Sequence, residues 1–217
     1  MMKNLSKKAM ALFIGISVVL PLLLFVLFKY YNNYVAALPF YAENYVKSKN
    51  ETSFTVPDYE FINQDGKSIN QNFTTGKVWV AHYFFTTCPT ICPVMISGIR
   101  DIHENFSSNE MLKIVSFTVD PKTDTPEVLK NYAELHQINT NQWQLLTGDK
   151  KSLYRFARKG LYIEATDGDG GINDFIHSEK LVLIDHKNRI RGYYDGTESS
   201  DIKLLINHIQ QLLNEIE

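Results

Sequence analysis

Two cysteines, Cys88 and Cys92, are the only thiols in the chain, and each is followed by a proline in the stretch FFTTCPTICPVM (84–95). Positions four apart on a helix share a face, with Cβ atoms about 5–6 Å apart, so both sulfurs point the same way if the turn is helical throughout. Pro89 weakens that geometry, although proline suits the first turn of a helix. A helix N-terminus close by lowers thiol pKa values, and the expectation is that both thiols gain thiolate character. Three uses compete. A reversible dithiol/disulfide makes the pair an oxidoreductase centre, with some local distortion needed to close the bridge. A pair of thiolates also clamps a soft metal, and such ligands select Cu(I), whereas zinc normally takes four. A purely structural disulfide is the third use, but so small a loop constrains the unfolded chain little.

A third ligand would favour metal. The histidines are His82, His103, His136, His177, His186 and His208. His82 lies in an apolar run and reads as core. His103, His136 and His208 fall on expected helices away from the cysteine turn, and His186 falls in an expected hairpin turn, exposed. His177 differs: it follows the glycine-rich DGDGG (167–171) and precedes the apolar run KLVLID (180–185). The DGDGG loop fails as a calcium loop on register. Counted from Asp167, Gly171 stands where an acid or amide belongs, Ile172 where glycine is required and Ser178 at position twelve. A peroxide-reducing site fails too, because no proline stands in the required register before Thr86-Thr87-Cys88 and no arginine precedes Arg100.

The elements that must position these residues follow from periodicity. Asp58–Asn63 and Lys67–Ile69 flank Gln64-Asp65-Gly66, a hairpin signal. KVWVAHYFF (77–85) and LKIVSFTV (112–119) are apolar on both faces, as buried strands of a parallel sheet are. Between them Met95, Ile99, Ile102 and Phe106 recur at helical spacing. Thr125 with Pro126 reads as an N-cap and first helical residue, opening a helix to about His136. Trp143–Leu146 reads as a strand, and Asp149 caps a helix ending near Gly160. KLVLID (180–185) and RIRGYYD (189–195) flank a turn at His186-Lys187-Asn188. A last helix covers about 198–215, with Ile202, Leu205, Ile206, Ile209, Leu212 and Leu213 on one face. The expected fold is α/β: a thioredoxin-like mixed sheet flanked by helices, with an N-terminal β-hairpin. Phe85 to Cys92 is then a strand-to-helix turn at a carboxyl end of the sheet, where sites gather. The loop holding His177 would lie opposite it. Thioredoxins carry a cis-proline there, and this chain has no proline after Pro126.

Upstream, residues 9–28 carry no charge. Twenty helical residues span about 30 Å, one hydrocarbon core. Lys3, Lys7 and Lys8 precede the stretch, and Lys29, Tyr30, Tyr31 and Tyr34 follow it. The positive-inside rule puts the N-terminus in the cytoplasm and the rest outside. A cleaved signal peptide is the rival; its apolar region is usually shorter, and Ala36-Ala37 makes a poor cleavage site. Expected boundaries are 1–29 for the cytoplasmic tip and transmembrane anchor, 30–53 for a linker, with folded structure starting near Phe54, and 54–217 for the domain. An outward-facing domain puts the thiols in an oxidising compartment such as a bacterial periplasm, the protein being single-pass in the inner membrane. The formal net charge of −2 gives no basic field for nucleic acid.

The combination of FTTCPTICPVM (85–95), SFTVDPKTDTPEVLKNYA (116–133) and DFIHSEKLVLID (174–185) resembles the Sco/SenC family. The likeness covers roughly residues 54–215. These are membrane-tethered, thioredoxin-like copper proteins of cytochrome c oxidase assembly. The resemblance implies copper ligands at Cys88, Cys92 and His177, with Cu(I) preferred and Cu(II) possible. It implies delivery to the copper A centre of oxidase subunit II, or another copper-accepting membrane protein. The alternative is thiol-disulfide reduction of that subunit's cysteines or of other extracytoplasmic disulfides, with Cys88 attacking and Cys92 resolving. Asp120 and Asp124 match the family's VDPxxD segment; Asp120 is expected to end a strand on the site's side, either tuning the site by its charge or simply capping the loop. Thr90 departs from the acidic residue that many members carry, which leaves the loop less negative.

Overall fold

The computed structural model describes residues 7–34, 37–42, 47–48, 54–163 and 178–216. Two compact units divide at Leu38/Pro39. The first holds one long helix, α1 (Lys7–Tyr34), with Pro21 inside it. Its apolar side chains stand exposed, Phe13, Leu22, Phe25 and Phe28 among them. Among the described residues no helix is long and apolar enough to cross a membrane.

The second unit is built on one sheet. Its strands are β1 (Phe40–Tyr41), β2 (Lys47–Ser48), β3 (Glu60–Asn63), β4 (Ser68–Asn70), β5 (Val78–Phe84), β6 (Leu112–Thr118), β7 (Trp143–Thr147), β8 (Lys180–Ile184) and β9 (Ile190–Asp195). The order across the sheet is β2-β1-β9-β8-β5-β6-β7-β3-β4. The central pairs β5–β6 and β6–β7 are parallel. The flanking pairs, from β8 outward on one side and β3 outward on the other, are antiparallel. Every residue of β5 is buried, as its unbroken apolar run requires of a strand covered on both faces. Trp79, Ala81 and Tyr83 face a core with Tyr59, Phe61, Phe117 and Phe156.

Helices α2 (Ile91–Asn105), α3 (Pro126–Leu135), α4 (Lys150–Arg155) and α5 (Ser199–Asn214) complete the unit. α2 crosses α5 where Gly98 stands. A Cβ there would come within 2.8 Å of Ile202 Cδ1, so the end of that side chain would have to shift to admit one. The caps expected for α3 and α4 are present: Thr125 accepts from the Val128 N–H, and Asp149 from the Ser152 N–H. The hairpin at Gln64-Asp65-Gly66 forms with Gly66 at φ +71°.

Two local expectations are corrected. The sheet starts ahead of Phe54, because the segment read as linker supplies β1 and β2, and β1 pairs with β9 through Tyr41 and Ile190. Strands of two residues have no periodicity to read, so propensity could not find them. The helix capped by Asp149 does end at Gly160, its last turn, Phe156–Gly160, widening to a π-type turn after Arg155. His186 is half-buried rather than exposed.

Candidate thiol site

β5 ends at Phe84, and the chain turns before α2 begins at Ile91. The Cys88 N–H closes this turn on the Phe85 carbonyl, at 3.3 Å. Cys88 therefore precedes the helix, while Cys92 lies in its first turn. This split decides the chemistry. The first N–H groups of a helix have no partner within it, and the Cys92 N–H spends itself on the Cys88 sulfur, at 3.4 Å. The Thr90 hydroxyl lies 4.0 Å from the same sulfur. Both cysteines are free thiols; Cys88 is half-buried and Cys92 buried.

The two acidities diverge accordingly. Partial burial pushes the Cys88 thiol up, but hydrogen bonds from the backbone of Cys92 and Thr90, then from their side chains, outweigh it and bring it to about 7. Burial pushes Cys92 up to about 12; a backbone hydrogen bond at Phe85 opposes this, and the charges of Cys88 and Asp124 add to it. The expectation that the helix N-terminus would acidify both thiols is corrected: it acts on the cysteine outside the helix, which receives its N–H groups.

Asp124 holds the turn from behind. It is fully buried. Its carboxylate accepts from the Thr86 N–H at 3.3 Å, from the Thr86 hydroxyl at 2.5 Å, and from the Thr118 hydroxyl. Thr86 is two residues before Cys88, so the end of β6 and the loop into α3 are tied to the cysteine turn. Burial raises the Asp124 pKa, the Thr118 and Thr86 donors pull it down, and the charge of Asp120 raises it further. Asp120 itself closes a loop, its carbonyl accepting the N–H groups of Thr123 and Asp124. Of the two acids in VDPKTD, Asp124 is the one whose charge bears on Cys92.

Tyr132, on α3, was not marked out by the sequence. Its ring lies 5.5 Å from that of Phe84 and 4.2 Å from that of His136, centroid to centroid. Burial pushes its phenol up, and the charges of Cys92, Asp124 and Cys88 act on it in the same direction. The only signal in the sequence is its place in the segment after VDPKTDTP, one element away from the cysteines. His136, expected to be remote, stands on this ring.

The other described histidines have structural surroundings. His82 is fully buried on β5, its Nε2 2.5 Å from the Ser116 hydroxyl, and burial drives its pKa down to about 3. His208 bonds Tyr194 at 2.6 Å, and His103 lies against Trp143. His177 lies outside the described residues. Among the described residues no group of three His, Cys, Asp or Glu side chains is placed to hold a metal ion.

A sheet with parallel centre, helical layers and a strand-to-helix turn bearing two unlike thiols defines a thioredoxin-like dithiol domain. A family profile described as SCO1/SenC matches residues 47–214, and the chain belongs to that family. The SCO1 protein homolog of Bacillus subtilis (strain 168) is 29% identical over 166 residues, covering 75% of this chain and 84% of its own. The structure of BsSco, described as a member of the Sco family of cytochrome c oxidase assembly proteins with a disulfide switch, is 29% identical with a TM-score of 0.63, covering 75% of this chain and 95% of its own. The SCO1/SenC family lipoprotein of Bacillus anthracis (strain Ames) superposes with a TM-score of 0.62 at 29% identity, covering 74% of this chain and 95% of its own.

Proposed function

We propose that this protein is a copper metallochaperone of cytochrome c oxidase assembly. Cys88 and Cys92 supply two sulfur ligands, and His177 supplies an imidazole. The cargo is Cu(I) in preference to Cu(II), because two thiolates and one imidazole make a soft, three-coordinate donor set. Transfer goes by ligand exchange: an incoming donor takes the open position, and the chaperone's ligands leave one at a time. The acceptor is the copper A centre of subunit II or another copper-accepting membrane protein. α1 anchors the chain in the bacterial inner membrane, with residues 1–29 as tip and anchor and the sheet unit, from Pro39 onward, as a periplasm-facing copper domain. The observation that carries the reading is the pair of free thiols in one turn, with the Cys92 N–H on the Cys88 sulfur at 3.4 Å. Family membership supports the assembly role.

A second reading, thiol-disulfide reduction, is favoured by the inequality of the thiols. Cys88, half-buried and at about 7, suits the attacking thiol; Cys92, buried and at about 12, suits the resolving one. One experiment separates the two. The reduced protein is titrated anaerobically with Cu(I) against a competing chelator, beside His177→Ala. One tight copper per chain, weakened at least about a hundredfold by the substitution, supports the carrier. Absence of tight copper, or indifference to His177, removes the three-ligand site and leaves the reductase.

A further inference from the structure

β8 runs antiparallel to β5, and β9 antiparallel to β8, so β9 ends at the same edge as β5, the edge that carries the cysteine turn. α2 and α5 therefore both start at that edge, and a groove of about 680 Å³ opens between them. Its floor is apolar. Ile202 is buried, and Val94, two residues after Cys92, is 50% exposed. Ile206 completes the floor and is only half-buried, although it shares the apolar face of α5 with Ile202, Leu205, Ile209, Leu212 and Leu213, which are buried. From Val78 to Ile99 the chain holds no Asp, Glu, Lys or Arg, so the lip of the groove at the thiols is uncharged. Charge enters further along. Asp101 and Glu104 line the α2 wall, both exposed and one turn apart. Among the described residues neither is in an ion pair. Arg100 is spent elsewhere, donating to the His136 carbonyl at 3.2 Å. Lys203 stands on the opposite wall and closes no salt bridge to either carboxylate. The groove thus offers an apolar floor at the thiol end and two unneutralised carboxylates about 10 Å further on, at 1.5 Å per helical residue from Val94 to Asp101.

We propose that this groove docks a segment of the partner protein that the thiols serve: an apolar side chain over Val94, followed by Lys or Arg at Asp101 and Glu104. An extended chain rises about 3.3 Å per residue, so the basic side chains stand about three residues beyond the apolar one. Covering Val94 and Ile206 supplies affinity, and the carboxylates set register and direction and reject acidic segments. The inference rests on the thiols being the working groups, which the carrier and reductase readings share, and it states the kind of partner they meet.

The test uses the full chain in lipid nanodiscs, reduced and metal-free, with fluorescent peptides that contain no cysteine. One carries leucine and, three residues on, two lysines. A second has glutamates for the lysines, and a third has serine for the leucine. Fluorescence anisotropy at low ionic strength gives the affinities. The leucine–lysine peptide is expected to bind about tenfold more tightly than either of the others, with its margin over the glutamate peptide shrinking as salt is added. The double variant Asp101→Lys, Glu104→Lys should reverse that preference; both side chains are exposed, so the core is untouched. A photoreactive analogue of the leucine should attach to α2 or α5 within the groove, as read by mass spectrometry. Equal affinities, preference for the glutamate peptide by the wild type, or adducts elsewhere overturn the proposal. So does binding that weakens as protein concentration rises, the mark of a second copy of this chain in the groove. Because the peptides lack cysteine, docking is read without thiol chemistry. Docking without tight Cu(I) removes the carrier reading alone, and tight Cu(I) without docking removes the groove alone.

Discussion

At the scale of single residues, one hydrogen bond makes two like side chains unlike. Cys88 and Cys92 each stand before a proline, and only Cys88 receives the N–H of the other. The thiolate is the nucleophile, so reactivity follows its population. In the reduced, metal-free protein, alkylation of Cys88 by iodoacetamide should rise with pH through a midpoint near 7 and level off above 8. Cys92 should stay unmodified throughout that range, since burial holds its proton up to about 12. Mass spectrometry of the quenched protein reads both sites. Two thiols titrating together near 8.5–9 would contradict the assignment. This asymmetry was not legible in CPTICP. Spacing fixes which residues can meet, but the field at each sulfur depends on where the helix starts, and Pro89 and Pro93 leave several starts open. Asp124 was named from its motif, yet its burial and its bonds to Thr86 and Thr118 belong to tertiary structure.

At the scale of elements, the edge of the sheet depends on a charged core. Asp185, at the end of β8, is fully buried and accepts from Arg189 Nε at 2.9 Å and Arg191 Nη1 at 3.0 Å. The two guanidinium groups lie over the Phe40 ring at 4.8 and 4.3 Å, which ties β1 to the β8–β9 hairpin. Burial raises the Asp185 carboxyl, but the Arg189 hydrogen bonds and charge, then Arg191, outweigh it, so its pKa lies below the ordinary value of 3.8. A depressed carboxyl stabilises the fold above the unfolded pKa and loses that contribution as pH falls through the folded one. Wild-type stability to urea should therefore fall in the window below about pH 4, in part through Asp185. Asp185→Asn should cost about 3–5 kcal/mol at pH 7, because two buried cations lose their shared counter-charge. The gap between the two proteins should narrow as the pH drops below 4. A constant gap down to pH 2.5 would assign the loss to shape rather than charge. The hairpin itself was legible, from two β-rich runs about His186-Lys187-Asn188. The clamp was not, since Phe40 lies more than a hundred residues away in a two-residue strand.

At the scale of the whole molecule, the central sheet and its helices were legible because β5, β6, α3 and α5 each carry a pattern that survives any context: buried runs, a Thr-Pro cap, a one-sided apolar face. What remained unread came from partners distant in sequence, as with Tyr132; His177, which the sequence did single out, lies outside the described residues. The anchor proposed for α1 joins these scales, because it decides which compartment the thiols meet. The uncharged stretch 9–28 falls within this 28-residue helix. Its described apolar side chains are exposed, with Phe13 at 70% and Leu22 at 64%. Leaving such a surface in water is unfavourable at about 25 cal/mol per Å², and with α1 as an anchor the lysines at positions 3, 7 and 8 would hold the N-terminus on the cytoplasmic side. Expressed in a Gram-negative bacterium, the full chain should sediment with membranes and resist extraction by alkaline carbonate. Protease added to spheroplasts should cut it to an α1-containing fragment without lysis, while a chain beginning at Pro39 should leave the membrane fraction. Carbonate release of the full chain would remove the anchor, and protection of the domain until lysis would reverse the orientation, placing both thiols in a reducing cytoplasm where the paired cysteines need no reductant to stay ready for copper.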